Sequence, residues 1–141
     1  MIKFICSIRL ISAVTIRQSI VFNKENATKD EVDVKFTLSA ELHDQKKPNP
    51  KNVKLRLISS STALDKEDKT IMDIELITEY NFKIIDHDSF FAQSDEERSK
   101  YCSNLAFLDF RGKLSKAFFD IGMKGFTLPM SIEEFPEQNK K

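Results

Sequence analysis

Residues 101 to 135, YCSNLAFLDFRGKLSKAFFDIGMKGFTLPMSIEEF, read as a helix that is apolar on two sides, followed by an apolar Gly-Phe…Leu-Pro segment that cannot be helical throughout. At 100° per residue from Leu105, the polar residues Asp109, Lys113, Lys116 and Asp120 share a stripe roughly 60° wide. Ala106, Phe107, Phe110, Leu114, Ala117, Phe118 and Ile121 make one broad apolar face. Leu105, Leu108 and Phe119 make a second. A helix on the surface of a monomer needs one apolar face, so the second predicts contact with another subunit.

The part of the chain before this helix alternates with period two. Val14, Ile16, Ile20 and Phe22 are expected on one side of a first strand. In the second, Val32, Val34, Phe36, Leu38, Ala40 and Leu42 alternate with charged and hydroxylated residues. Val53, Leu55 and Leu57 define a third strand, and Met72, Ile74, Leu76, Tyr80, Phe82 and Ile84 a fourth. One dry and one wet face per strand is the pattern of an antiparallel sheet. Polar connections are expected at 23–30, 43–52 and 59–69, the second holding Pro48 and Pro50. The 141 residues suffice for one domain, 1–141, and show no repeat or linker.

Ser94-Asp95-Glu96-Glu97 is a capping box that starts the helix, and Gly122 and Gly125 mark its end. Ser103-Asn104 favours a break within it.

Composition removes several function classes. Lys plus Arg and Asp plus Glu both number 22, so the net charge is +0, which speaks against a nucleic-acid grip. With three glycines, no phosphate loop, dinucleotide fingerprint, nucleophile elbow or HExxH motif occurs. No catalytic residue, metal site or cofactor is therefore expected, and the chain reads as a non-enzyme. Asp86-His87-Asp88 reads as turn residues, because adjacent side chains diverge and rarely converge on one ion. His43 is expected to be solvated. Cys6 and Cys102 read as free thiols of a cytoplasmic protein. The segment Phe4 to Ala13 has a faint leader-like look, but Arg9 interrupts it, and no run reaches membrane-spanning length.

Two features carry binding expectations. Arg111 projects between the helix's apolar faces and reads as a structural tether, since an unpaired buried charge is costly. Phe126, Leu128, Met130 and Ile132, with Phe135 beyond and Phe22 on the first strand, are candidates for a wall against an apolar peptide; packing on the core is the equal alternative for the C-terminal segment.

Tyr101-Cys102-x-Asn104-x-x-Phe107-x-x-x-Arg111, then Gly125, Phe126, Leu128 and Pro129, with Phe82-Lys83-Ile84 ending the strand before, resembles the SecB-like family of protein-export chaperones. The resemblance spans most of the chain. It implies an α+β fold: a four-stranded antiparallel sheet with a long C-terminal helix packed on one face. It implies a homo-oligomer, a dimer or dimer of dimers, that binds unfolded or nascent polypeptide in apolar grooves without ATP or metal. SecB itself is strongly acidic; the zero net charge here and the Lys140-Lys141 end speak against delivery to a SecA-type motor. An adaptor with one dedicated partner, as in toxin–antitoxin systems, is the alternative.

Overall fold

In the computed structural model, the described residues are 6–26, 34–44 and 50–122. They form strands β1 (Ile8–Phe22), β2 (Lys35–Asp44), β3 (Asn52–Leu64) and β4 (Thr70–Ile84), a short helix α1 (His87–Phe91) and a long helix α2 (Asp95–Asp120). The four strands make one antiparallel sheet in the order β1-β4-β3-β2. β2, β3 and β4 are a meander, while β1 crosses to the far edge.

Alternation sets the two faces of the sheet. Met72, Ile74, Leu76, Thr78, Tyr80, Phe82 and Ile84 of β4 are buried, with the intervening residues more exposed. Val53, Leu55, Leu57, Ser59, Ser61 and Ala63 of β3 continue the same face. β3 therefore runs on to Leu64, where the sequence suggested a polar connection from Ser59. Small hydroxylated residues at the buried positions hid the pattern. The real connection is a tight turn: Asp65 N–H donates to the Lys69 carbonyl at 2.9 Å, and Asp68 takes φ 61°. The Asp65 carboxylate accepts from the Glu67 and Lys69 amides, a short polar side chain stabilising a left-handed turn.

α2 lies on this face against β2, β3 and β4. Its buried residues include Ala106, Phe107, Phe110, Leu114, Ala117 and Phe118, as the helical spacing predicts, and Cys102, which it does not. Phe118 meets Phe36 of β2 with ring centroids 5.6 Å apart. The Ser94 hydroxyl accepts from the Glu97 amide at 3.2 Å, which closes the cap, and acids at positions 95 to 97 suit the positive end of the helix. The helix ends at Gly122, whose φ of 85° suits glycine and whose amide donates to the Phe119 carbonyl. Ser103-Asn104 does not interrupt it. The Ser103 hydroxyl donates to the Ser99 carbonyl at 2.7 Å, so its polar group is satisfied inside the helix.

Two irregularities in β1 overturn the expected grouping of Val14, Ile16, Ile20 and Phe22. The pairing with β4 skips Ile11 and Ile16, so each is an inserted bulge residue. Ile20 and Phe22 pair with Ile74 and Met72 on the helix side; Val14 pairs with Glu79 on the other. A one-residue insertion reverses the face of everything beyond it.

Phe110 is fully buried at the centre of the helix–sheet contact. Phe110→Ala is expected to cost about 3–5 kcal/mol of unfolding free energy, measured by urea denaturation; a change below about 1 kcal/mol would mean that the helix is not anchored there.

Candidate interaction surface

The helix covers three strands and leaves β1 uncovered. Residues 11 to 19 are all exposed, although Ile11, Val14 and Ile16 are among them at 53%, 54% and 46%. Leu10 and Phe22 are also exposed, on the helix side of the strand. On α2, Leu105, Leu108 and Phe119 are exposed at 40%, 64% and 63%. The second apolar face of the helix thus stands open in the single chain. Ile85 and Phe91 add smaller apolar patches near the short helix.

The orientation of that helix face is fixed from below. The Tyr80 hydroxyl, buried on β4, donates to Asp109 Oδ2 at 2.7 Å, and Lys113 Nζ donates to the same oxygen at 2.5 Å. Lys113 also lies 5.5 Å from the centre of the Tyr80 ring. Burial, and then the Asp109 carboxylate, push the Tyr80 hydroxyl well above its ordinary pKa, so it stays a donor. Partial burial pushes Asp109 up, but hydrogen bonds from Lys113 and Tyr80 outweigh it and hold the carboxyl below its usual range. Asp109 belongs to the polar stripe read from the sequence, yet it is the point where helix and sheet are tied.

A second tether is Arg98. It is 7% exposed, pairs with Asp95, donates to the Gln93 carbonyl at 2.5 Å, and lies over the rings of Phe90 and Phe91. Arg111, expected between the two apolar faces, is half-buried on α2. Sequence reading singled out Arg111 and missed Arg98, because the aromatic platform for Arg98 comes from α1, a helix too short to announce itself.

Asp86-His87-Asp88 opens α1 rather than forming a loose turn. The Asp86 carboxylate caps the helix by accepting from the Ser89 hydroxyl and amide, which hold its pKa low. His87 Nε2 and the Pro50 carbonyl are 2.6 Å apart, joining α1 to the start of β3. His43 is exposed and lies 3.4 Å from Glu41, its neighbour on the same face of β2 and an acidic contact the sequence reading overlooked. Among the described residues, no group of three His, Cys, Asp or Glu side chains could hold a metal ion. Cys6 is exposed and Cys102 is buried, and neither is in a disulfide. No helix among the described residues is long and apolar enough to cross a membrane.

Of the residues read as a peptide-binding wall, Phe22 lies on the uncovered strand; Phe126, Leu128, Met130, Ile132 and Phe135 lie outside the described residues. Leu10 and Ile11 were missed because their run resembled a leader and the bulges scrambled its alternation.

A long helix on one face of a β1-β4-β3-β2 antiparallel sheet has a solved counterpart. The SecB-like chaperone Rv1957 of Mycobacterium tuberculosis, determined in complex with a ChAD peptide from the Rv1956 HigA1 antitoxin, superposes with a TM-score of 0.60. The match covers 92% of this chain and 94% of that one, at 10% sequence identity. The fold is SecB-like. No protein-family model matches the sequence, and no curated protein matches it. The SecB-like likeness is therefore one of backbone architecture carried by very different side chains.

The lowered Asp109 pKa has a defined pH consequence. A carboxyl held low in the fold contributes stability above its unfolded value, near 3.9, and loses it as pH falls through the folded value. Asp109→Asn should melt below the parent chain above about pH 5 and converge with it as pH falls through the folded value. A constant difference across that range in calorimetry would show that Asp109 does not act through its charge.

Proposed function

We propose that this protein is a non-enzymatic, ATP-independent holdase of SecB-like fold that binds unfolded or nascent polypeptide and acts as a homo-oligomer in the cytoplasm. The observation that carries the reading is the apolar surface left open: most of β1, with Leu10, Ile11, Val14, Ile16 and Phe22 exposed, and the outer ridge of α2 at Leu105, Leu108 and Phe119. Isolated exposed apolar residues are ordinary, but contiguous ones along a strand and a helix ridge mark an interaction surface. The two surfaces suit two tasks. The helix ridge suits a second subunit, in a dimer or dimer of dimers. The strand, with Phe22 at its end and the sequence 126–135 as the proposed wall beside it, suits an extended guest chain.

Holding a guest needs no chemistry. An apolar surface lowers the free concentration of unfolded chain by mass action, and several weak contacts add up. A part in protein export fits the fold, but a SecA-type motor is left out, because the chain has no net negative charge. A second reading is an adaptor with one dedicated partner; the peptide bound to the structurally similar Mycobacterium tuberculosis chaperone comes from an antitoxin. Suppression of aggregation of several unrelated unfolded proteins supports the holdase. Activity towards none of them, with tight binding of one peptide, supports the adaptor.

Two substitutions separate assembly from folding. Phe119→Asp should yield smaller particles in light scattering with little change in melting temperature, because Phe119 is exposed in the single chain. A parent chain that scatters only as a 16.3 kDa species would remove the oligomer from the proposal. Arg111, proposed as a structural tether, should on replacement by Ala lower the melting temperature or weaken assembly; unchanged stability and assembly with lost guest binding would reassign it to the binding surface.

For the guest surface, Phe126→Ser with Met130→Ser should weaken protection of a slowly refolding protein several-fold while moving the melting temperature little. Early melting, or full protection, would exclude this segment from the guest surface.

A further inference from the structure

The sheet face turned away from α2 is unevenly charged. Register places its residues in rows across the strands. One row is Arg9, Lys83 and Asn52; the next is Ser12, Asn81, Lys54 and His43. A third holds Val14, Glu79, Arg56 and Glu41. Two acids on this face are matched by cations. Glu79 sits 3.0 Å from Arg56 and 3.7 Å from Lys54, and its carboxyl is held low first by the hydrogen bond from Arg56. Glu75 lies 3.6 Å from Arg17.

The first row has no such match. Arg9 and Lys83 are directly opposed across β1 and β4, both exposed, and neither has an ion pair among the described residues. The nearest acid in sequence, Asp86, is occupied in capping Ser89. Lys54 in the second row shares its acid with Arg56. Like charges directly opposite on neighbouring strands repel, so the fold carries an unfavourable contact here that an added carboxylate would relieve. The excess is local, because the chain as a whole has net charge +0. Beside it on β1 stand the exposed apolar residues Ile11 and Val14, the latter on this same face.

We propose that this end of the outer sheet face, formed by Arg9, Lys54 and Lys83 with Val14 alongside and exposed Leu10 on the other face of β1, docks an acidic polypeptide segment in which carboxylates alternate with apolar side chains. Alternation matches an extended segment lying beside β1, its carboxylates on the basic row of the outer face and its apolar side chains beside exposed Leu10 on the helix side. A polypeptide rather than a nucleic acid is favoured, because the basic area is small and bordered by the Glu79 and Glu41 carboxylates, which repel a continuous phosphate backbone. The site lies opposite the helix and does not depend on the holdase reading.

The test uses the whole protein and a short fluorescent peptide of alternating glutamate and valine. Fluorescence anisotropy at low ionic strength should show binding that weakens as salt is raised. The same peptide with glutamine in place of glutamate should bind about tenfold more weakly. Arg9→Glu with Lys83→Glu should weaken the glutamate peptide by a similar factor without lowering the melting temperature, since it removes a like-charge pair only to install another. The milder Arg9→Gln with Lys83→Gln, which removes the repulsion, should also weaken binding while keeping or raising the melting temperature. Equal binding of the two peptides, or no effect of either double variant, would overturn the proposal. Tighter binding of a single-stranded oligonucleotide than of the glutamate peptide would overturn its choice of partner.

Discussion

The structure depends on one contact, the inner face of α2 against β2, β3 and β4. Phe110, Leu114 and Phe118 supply its buried apolar area, and the Tyr80–Asp109–Lys113 group fixes how the helix is turned. Apolar packing alone is non-directional and would tolerate a helix rolled about its axis. A hydrogen bond from a buried hydroxyl to a carboxylate is not tolerant, because its geometry is narrow and leaving the hydroxyl unpaired is costly. The tether therefore holds the roll that the broad apolar face sets, with Leu105, Leu108 and Phe119 outward.

What the contact leaves out is as consequential as what it covers. A single helix is about 10 Å wide and cannot roof four strands. β1 is the strand left over. Among the described residues it joins the sheet only through β4, and its bulges turn apolar residues to both faces, so no single neighbour could bury them all. Bulges also raise local twist and blunt an edge against indiscriminate pairing. The strand proposed as the guest surface thus carries the device that limits indiscriminate pairing.

The short helix α1 looks incidental in the sequence, yet it organises one end of the molecule. Asp86 caps it, His87 ties it to Pro50, and its Phe90 and Phe91 rings cover the Arg98 guanidinium. A guanidinium so deeply placed is held by an acid, a carbonyl and two aromatic rings together. The entry of α2 is therefore anchored independently of its centre.

Local periodicity was enough to establish the strands β2 and β4, the inner and outer faces of α2, and its Ser94 cap. Each of these rests on the spacing of side chains along one element, and spacing is written in the sequence. Where small polar residues replaced apolar ones, as at Ser59 and Ser61, or an extra residue entered, as at Ile11 and Ile16, the period failed and so did the reading. Strand order, the exposure of β1, the burial of Arg98 rather than a deeply buried Arg111, and the role of Asp109 belonged to the tertiary structure alone. All four arise between residues far apart in the chain, where it is the meeting of two elements, and not the period of either, that determines which side chain is covered and which charge is paired.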